Sequence, residues 1–152
     1  MAIGKTTTKY IQEGIELYKK RLTHYIPFEL KLLPDVKATK ALTMERQKEL
    51  EEEIFMSSIN SGDYVVLLDE RGKEMTSRDF SVYINKKMSV VPKNLIFVIG
   101  GPYGFSQGMY DRAQEKLSLS KMTFSHEMIR LFFVEQIYRA MTILRGEPYH
   151  HD

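Results

Sequence analysis

Leu95-Ile96-Phe97-Val98-Ile99-Gly100-Gly101-Pro102-Tyr103-Gly104 is the stretch whose reading decides the fold. Five apolar residues, rich in β-branched and aromatic side chains and bounded by Gly and Pro, read as a strand buried on both faces. Gly100-Gly101-Pro102 is a strong breaker. A strand apolar on both faces belongs to a parallel sheet covered by helices on either side. Loops at the carboxyl ends of such strands are where open α/β sheets bind ligands. Further on, Leu117-Ser118-Leu119-Ser120 leads through the loop Lys121-Met122-Thr123-Phe124-Ser125 into one long helix. The two loops together are the expected active site. A Gly-rich turn after a buried strand is, in the plainer reading, only a turn. The pattern is not the dinucleotide fingerprint, and Gly4-Lys5-Thr6 supplies only the tail of a Walker loop.

The rest of the chain extends the same pattern. Residues 8–25 carry Ile11, Gly14, Ile15, Tyr18, Leu22 and Tyr25 at helical spacing, with Thr7 or Thr8 as N-cap. Phe28, Leu30 and Leu32 alternate with charged residues, so residues 28–33 read as a strand, and 34–40 as a mobile loop. Thr43 is placed to cap a helix through Phe55, ending near Asn60-Ser61-Gly62. Tyr64-Val65-Val66-Leu67-Leu68 is a second buried strand, stopped by a turn at Asp69-Glu70-Arg71-Gly72. Thr76-Ser77-Arg78-Asp79 resembles a capping box for a helix to about Met88. Residues 108–116 read as a short helix and 117–120 as a strand with one apolar face. Ser125 is the expected N-cap of the last helix, over about 126–145, with Glu127 favouring its dipole.

That helix is apolar nearly all round, from Met128 and Ile129 to Ile143 and Leu144. Such a helix must bury more than one face. One face packs on the sheet, and the other implies a second copy of the chain, a homodimer built on the C-terminal helix. Alternating strand and helix predict one α/β domain over residues 1–152, with a mostly parallel sheet and helices on both faces. Only Ala2-Ile3 is available for an opening strand, so the first strand is very short or missing.

The 152 residues suit a single domain, with 43% apolar residues for its core. No apolar run approaches the ~20 residues of a membrane span, and the start reads as having no signal peptide. Cysteine is absent, which fits the cytoplasm and excludes thiolate metal sites. None of the four histidines has a metal-ligand spacing, so no metal is expected. The net charge of +2 is too mild to argue nucleic-acid binding by itself. Glu49-Leu50-Glu51-Glu52-Glu53 and the local basic groups read as solvated helix faces, although a dimer would join basic patches into a phosphate-binding surface.

With these residues in view, a family resemblance enters. The Gly-Gly loop, the Ser-Leu-Ser strand and its loop to His126 resemble the SPOUT class of methyltransferases. Phe133-Val134-Glu135-Gln136-Ile137-Tyr138-Arg139-Ala140 and the tail Pro148-Tyr149-His150 narrow the likeness to the ribosomal RNA large subunit methyltransferase H family, over Gly4 to His150. The resemblance implies a C-terminal deep trefoil knot, S-adenosylmethionine as cofactor, and methylation of N3 of a pseudouridine in 23S rRNA on the assembled ribosome by a homodimer. It implies cofactor contacts from Leu68, from Gly101, and from Ser120, Lys121, Met122, Thr123, Phe124 and Ser125. The start lacks most of the family's first strand, which puts the sheet edge in question more than the activity.

Methyl transfer to an imide nitrogen needs alignment and help in losing a proton. A nearby cation would stabilise the resulting anion. Arg139 is the candidate for that role or for a phosphate contact; the alternative is an i,i+4 partner of Glu135. His126, at a helix N-terminus, is a candidate base or a structural residue. Tyr149 and His150 reach the site from the tail, in the same protomer or across the dimer, or else belong to a frayed end. Met122 and Phe124 are apolar cofactor walls or core. Two other classes compete. A receiver-like domain would use Asp69 as phosphoacceptor but lacks acidic partners after its first strand, and an RNA-binding dimer without catalysis would not bind the cofactor.

Overall fold

The computed structural model describes residues 1–37 and 41–151. Residues 38–40, the end of the loop expected over 34–40, and Asp152 in the tail lie outside the described residues. The elements run β1 (Ala2–Ile3), α1 (Lys9–Leu22), β2 (Leu32–Leu33), α2 (Met44–Met56), β3 (Tyr64–Glu74), α3 (Ser77–Val90), β4 (Leu95–Ile99), α4 (Gln107–Arg112), β5 (Glu115–Ser118) and α5 (Met128–Leu144). The strands form one sheet in the order β2-β1-β4-β3-β5, with every pairing parallel.

The central pair explains the layers. Successive side chains of a strand point to opposite faces. Val66 and Phe97 therefore join Leu22, Phe80, Ile84, Phe133, Val134 and Ile137 on one side, while Val65, Leu67, Ile96 and Val98 meet Phe55, Phe105 and Met109 on the other. Helices α1, α3 and α5 cover the first face, and α2 and α4 the second. Each such side chain, fully buried, contributes roughly 1.5–3 kcal/mol. Phe97 and Phe133 pack with ring centroids 4.8 Å apart, and Phe80 meets both rings edge-on at 6.3 Å.

The first strand is short, as expected, but it lies inside the sheet between β2 and β4 rather than at an edge. Side chains from α5 hold it. Arg130, only 1% exposed, donates to the carbonyls of Ile3 (2.6 Å) and Gly4 (3.1 Å) and to Thr6 Oγ1 (2.9 Å). Glu127 accepts from Thr7 N–H and Oγ1, both at 2.8 Å, and from Thr8 N–H at 3.0 Å. Thr8 is the N-cap of α1 but makes no cap hydrogen bond with its side chain. The Glu127 carboxylate holds the backbone just before α1 instead, while Glu127 itself stands at the N-cap of α5, where its charge still favours that helix's dipole. Ser125, the expected N-cap of α5, is not at that position: the helix starts at Met128 with Glu127 as N-cap, although Ser125 Oγ still accepts from Met128 N–H at 3.2 Å.

Three boundaries differ from expectation, each because of a pairing partner. The strand expected over 28–33 shrinks to two residues, because its neighbour β1 offers only two residues to pair with. The turn expected at Asp69 to Gly72 is present locally, with Arg71 N–H donating to Asp69 Oδ1 at 2.8 Å. The chain then returns to the sheet, so β3 runs on to Glu74 and Leu117 opposes both Leu68 and Lys73 across a bulge. The short helix ends at Arg112 and β5 starts at Glu115, two residues before the expected strand. There Glu115 pairs with Val66 and accepts from Tyr64 OH (2.7 Å), Tyr83 OH (2.6 Å) and Lys87 Nζ (2.5 Å).

Two measurements check this account. A Cβ at Gly72 would lie 2.5 Å from both C and N of Leu117, so Gly72→Ala is expected to destabilise the fold by about 1–3 kcal/mol in urea unfolding. The hydrogen bonds from Thr7 and Thr8 hold the Glu127 carboxyl down at about 2, below its ordinary 4.5. A depressed carboxyl adds stability that is complete above 4.5 and is lost as the pH falls towards 2. Glu127→Gln should therefore be less stable than the native chain at pH 7, with the gap closing across that acidic window.

Candidate active site

A cleft of about 890 Å³ opens at the carboxyl end of β4, where its pairing with β3 stops at Leu68 and Ile99. One wall is β3 at its bulge, from Leu68 to Arg71, just past the last residue that pairs with β4. A second is Ile99 with the glycine turn and Phe105. The third is the segment after β5, with Leu119, Ser120, Met122, Thr123, Phe124, Ser125 and His126, continuing to Ile129 on α5. Parallel strands aim their carboxyl ends at this edge, and the breaker after β4 turns the chain away there.

Each loop is held by its own hydrogen bonds. Gly104 N–H donates to Gly101 carbonyl at 3.2 Å, and Gly104 sits at φ +75°, a conformation that disfavours side-chain-bearing residues. Ser120 Oγ accepts from Met122 N–H at 2.9 Å, and Ser118 Oγ donates to Ser120 carbonyl at 3.0 Å. Phe124 packs on Phe132 with centroids 4.9 Å apart. Met122 is 76% exposed and Phe124 37%, so both are surface walls and not core.

Of the residues expected to contact the cofactor, Leu68, Gly101, Ser120, Met122, Thr123, Phe124 and Ser125 line the cleft. Lys121 is not among the lining residues; its exposed ammonium approaches Glu74 at 4.0 Å. His126 is exposed and lines the cleft just before α5. Lys48, Asp69 and Tyr110 also line it and were not proposed for it. Tyr110 OH donates to Asp69 Oδ2 at 2.5 Å, and burial together with that carboxylate pushes the phenol up to about 12. Asp69 at a strand end was a usable signal, read only as a phosphoacceptor. Lys48 and Tyr110 reach the cleft from α2 and α4, and nothing local in the sequence marks them.

The remaining candidates form a separate cluster. Arg139 donates to Glu135 Oε1 through Nε (3.0 Å) and Nη2 (2.6 Å), and its Nη1 lies 3.3 Å from His150 Nδ1. Its guanidinium stacks over Tyr149, 4.7 Å from the ring centroid. Tyr149 OH donates to the same Glu135 oxygen at 3.0 Å and lies 3.2 Å from Tyr18 OH of α1. Burial opposes the charge of Arg139, but Glu135 outweighs it and raises the pKa. The i,i+4 pair with Glu135 thus exists, inside a larger network that also orders the tail. Arg139, Tyr149 and His150 are not among the cleft-lining residues. Ten residues of helix separate Arg139 from Ile129, ~15 Å at 1.5 Å per residue.

Among the described residues, no group of three His, Cys, Asp or Glu side chains is placed to hold a metal ion. Nor is any helix among them long and apolar enough to cross a membrane.

A doubly covered parallel sheet with its cleft between a glycine turn and a Ser-rich loop is the arrangement expected of a SPOUT methyltransferase. The family model described as "Predicted SPOUT methyltransferase" matches residues 1–150, and the chain belongs to that family. Among curated proteins it is 61% identical over 152 residues to the ribosomal RNA large subunit methyltransferase H of Parabacteroides distasonis, covering 100% of this chain and 97% of the relative. The protein of that name from Christiangramia forsetii is 56% identical over 151 residues, covering 99% and 96%. That from Bacteroides fragilis is 55% identical over 152 residues, covering 100% and 97%.

Proposed function

We propose that this chain is an S-adenosylmethionine-dependent methyltransferase that methylates N3 of a pseudouridine in 23S rRNA on the assembled ribosome, acting as a cytoplasmic homodimer. The observation that carries the reading is the cleft itself. Its glycine turn and 120–125 loop come from a chain of the SPOUT family and border one cleft at the carboxyl end of β4, beside the bulge of β3. The residues present fit the cofactor. The cleft volume falls within the ~300–1,000 Å³ of small-molecule sites. Leu68, Met122 and Phe124 offer apolar walls, and two tight turns bring backbone N–H and C=O groups to the rim. In the proposed fold, as the family resemblance implies, the last helix threads the preceding chain as a deep trefoil knot.

When bound, the cofactor supplies a methyl group already activated by a sulfonium. The protein's work is alignment, exclusion of water and help with the N3 proton. His126, on the cleft rim, is the nearest candidate to receive that proton. Arg139 is the candidate cation for the developing imide anion. In its own protomer Arg139 points into the Glu135–Tyr149–His150 cluster and not into the cleft, so the role requires the cluster of a second copy. The C-terminal helix supports this: Phe132 is 42% exposed and Leu144 37% exposed, large apolar side chains that a second copy would cover. Glu135 holds the guanidinium and Tyr149 stacks on it, so the tail is ordered before substrate arrives. Ordered geometry lowers the entropy cost of binding the nucleotide.

The test is labelled-methyl transfer from S-adenosylmethionine to ribosomes lacking the modification, with free 23S RNA as control. Arg139→Ala is expected to lower turnover on the order of 10²-fold, the loss typical of a missing anion-stabilising donor. Cofactor affinity by calorimetry should be unchanged, because Arg139 does not line its own protomer's cleft. Loss of cofactor binding in the mutant would place Arg139 at the cofactor instead. Failure of the native chain to bind the cofactor would favour the non-catalytic RNA-binding dimer.

A further inference from the structure

The acidic block Glu49-Leu50-Glu51-Glu52-Glu53 is not wholly a solvated face. Glu51 is only 3% exposed. Its carboxylate lies directly behind the glycine turn: a Cβ on Gly101 would sit 2.4 Å from each of its oxygens. Gln47, one turn earlier on α2, donates to Glu51 Oε1 at 2.9 Å. Burial raises the carboxyl pKa and nearby Asp35 adds to the rise, while the Gln47 amide and the Gly101 N–H favour the charged form. Glu52 repeats the approach on α4, where a Cβ at Gly108 would meet its Oε1 at 2.1 Å.

A buried carboxylate is an expensive way to fill space. An apolar side chain of similar size would cover the sheet at lower cost. What the carboxylate adds is a directional acceptor against Gly101, which lines the cleft. Gly101 has no positive φ, so its lack of a side chain answers this close approach and not a special backbone conformation. The turn has little else behind it: Tyr103 at its tip is 49% exposed, and a Cβ at Gly104 would meet nothing within 4 Å.

We propose that Glu51 is a positioning residue for methyl transfer, its carboxylate fixing Gly101, and with it the turn Gly101-Pro102-Tyr103-Gly104, at the distance that shapes the cofactor wall of the cleft. Glu51 itself touches neither cofactor nor RNA. The proposal rests on the methyltransferase reading above and assigns a residue of α2 to its cofactor subsite.

The experiment measures S-adenosylmethionine affinity by calorimetry, and methyl transfer to unmodified ribosomes, for the native chain, Glu51→Ala, Glu51→Gln and the exposed-face control Glu49→Ala. Loss of a charged acceptor predicts an affinity drop on the order of 10-fold in Glu51→Ala, with turnover at saturating cofactor retained. Glu51→Gln keeps the length and a carbonyl acceptor, so it should recover most of the affinity, to within about threefold of native, as a neutral acceptor in place of a charged one implies. Glu49→Ala should match the native chain. Should Glu51→Ala fail to fold, the Gly101 amide proton of folded Glu51→Gln carries the test. An upfield shift there, with cofactor binding weakened by no more than about threefold, supports the role. An unchanged Gly101 resonance with native affinity overturns it, as does a folded Glu51→Ala that binds like the native chain, whatever its thermal stability. Absence of binding by the native chain would instead remove the methyltransferase reading, and this proposal with it.

Discussion

Everything in this molecule depends on two neighbouring strands that must be dry on both sides. Val65, Val66 and Leu67 of β3 and Ile96, Phe97 and Val98 of β4 leave no face for water. Hydrogen bonding along the pair satisfies the backbone, and helices from both sides cover the side chains. With short connections, parallel strands force each helix to return across the sheet, so the loops collect at the two ends. The glycine turn after β4 and the 120–125 loop meet at one of these ends because β3 stands between their strands. The cleft is a consequence of covering the pair, and its contents are a matter of which residues the loops carry.

A second constraint ties the ends of the chain together. The start of α5 reaches across to the β1–α1 connection through Glu127 and Arg130, and both side chains are nearly out of contact with water. Arg130 is satisfied at its two terminal nitrogens, but its Nε has no hydrogen-bond partner. An orphaned donor in the interior costs free energy, so the segment of Ile3, Gly4 and Thr6 is held at some expense. The gain is local. The 120–125 loop runs directly into this anchored turn, so one end of the cleft wall is fixed by bonds to the start of the chain.

The candidate site divides along α5. Its first turn borders the cleft, while its later turns carry Glu135 and Arg139 and dock the tail through Tyr149 and His150. One helix therefore presents two chemically different surfaces, an apolar cleft rim and a charged, aromatic cluster. In the function proposed above, the first would serve the cofactor and the second the RNA. A separation of that size within one protomer is why a second copy matters to the proposed reaction and not only to solubility.

Much of this was legible in the chain itself. Runs of apolar residues on both faces specify a parallel, doubly covered sheet. The bounds of β4 follow from the breaker Gly100-Gly101-Pro102, and the caps at Thr43 and Thr76 follow from short-range hydrogen bonds. Such features depend on neighbours along the chain. Tertiary structure decided what depends on neighbours in space. β2 is short because β1 is short, and β3 resumes after Asp69 because Leu117 offers a second pairing. Glu127, at the N-cap of α5, spends its carboxylate on Thr7 and Thr8 because α1 begins beside it. Glu51 is buried because the glycine turn closes over it. Composition shows a run of acidic residues on one helix. Only packing determines which of those carboxylates meets water and which meets a backbone.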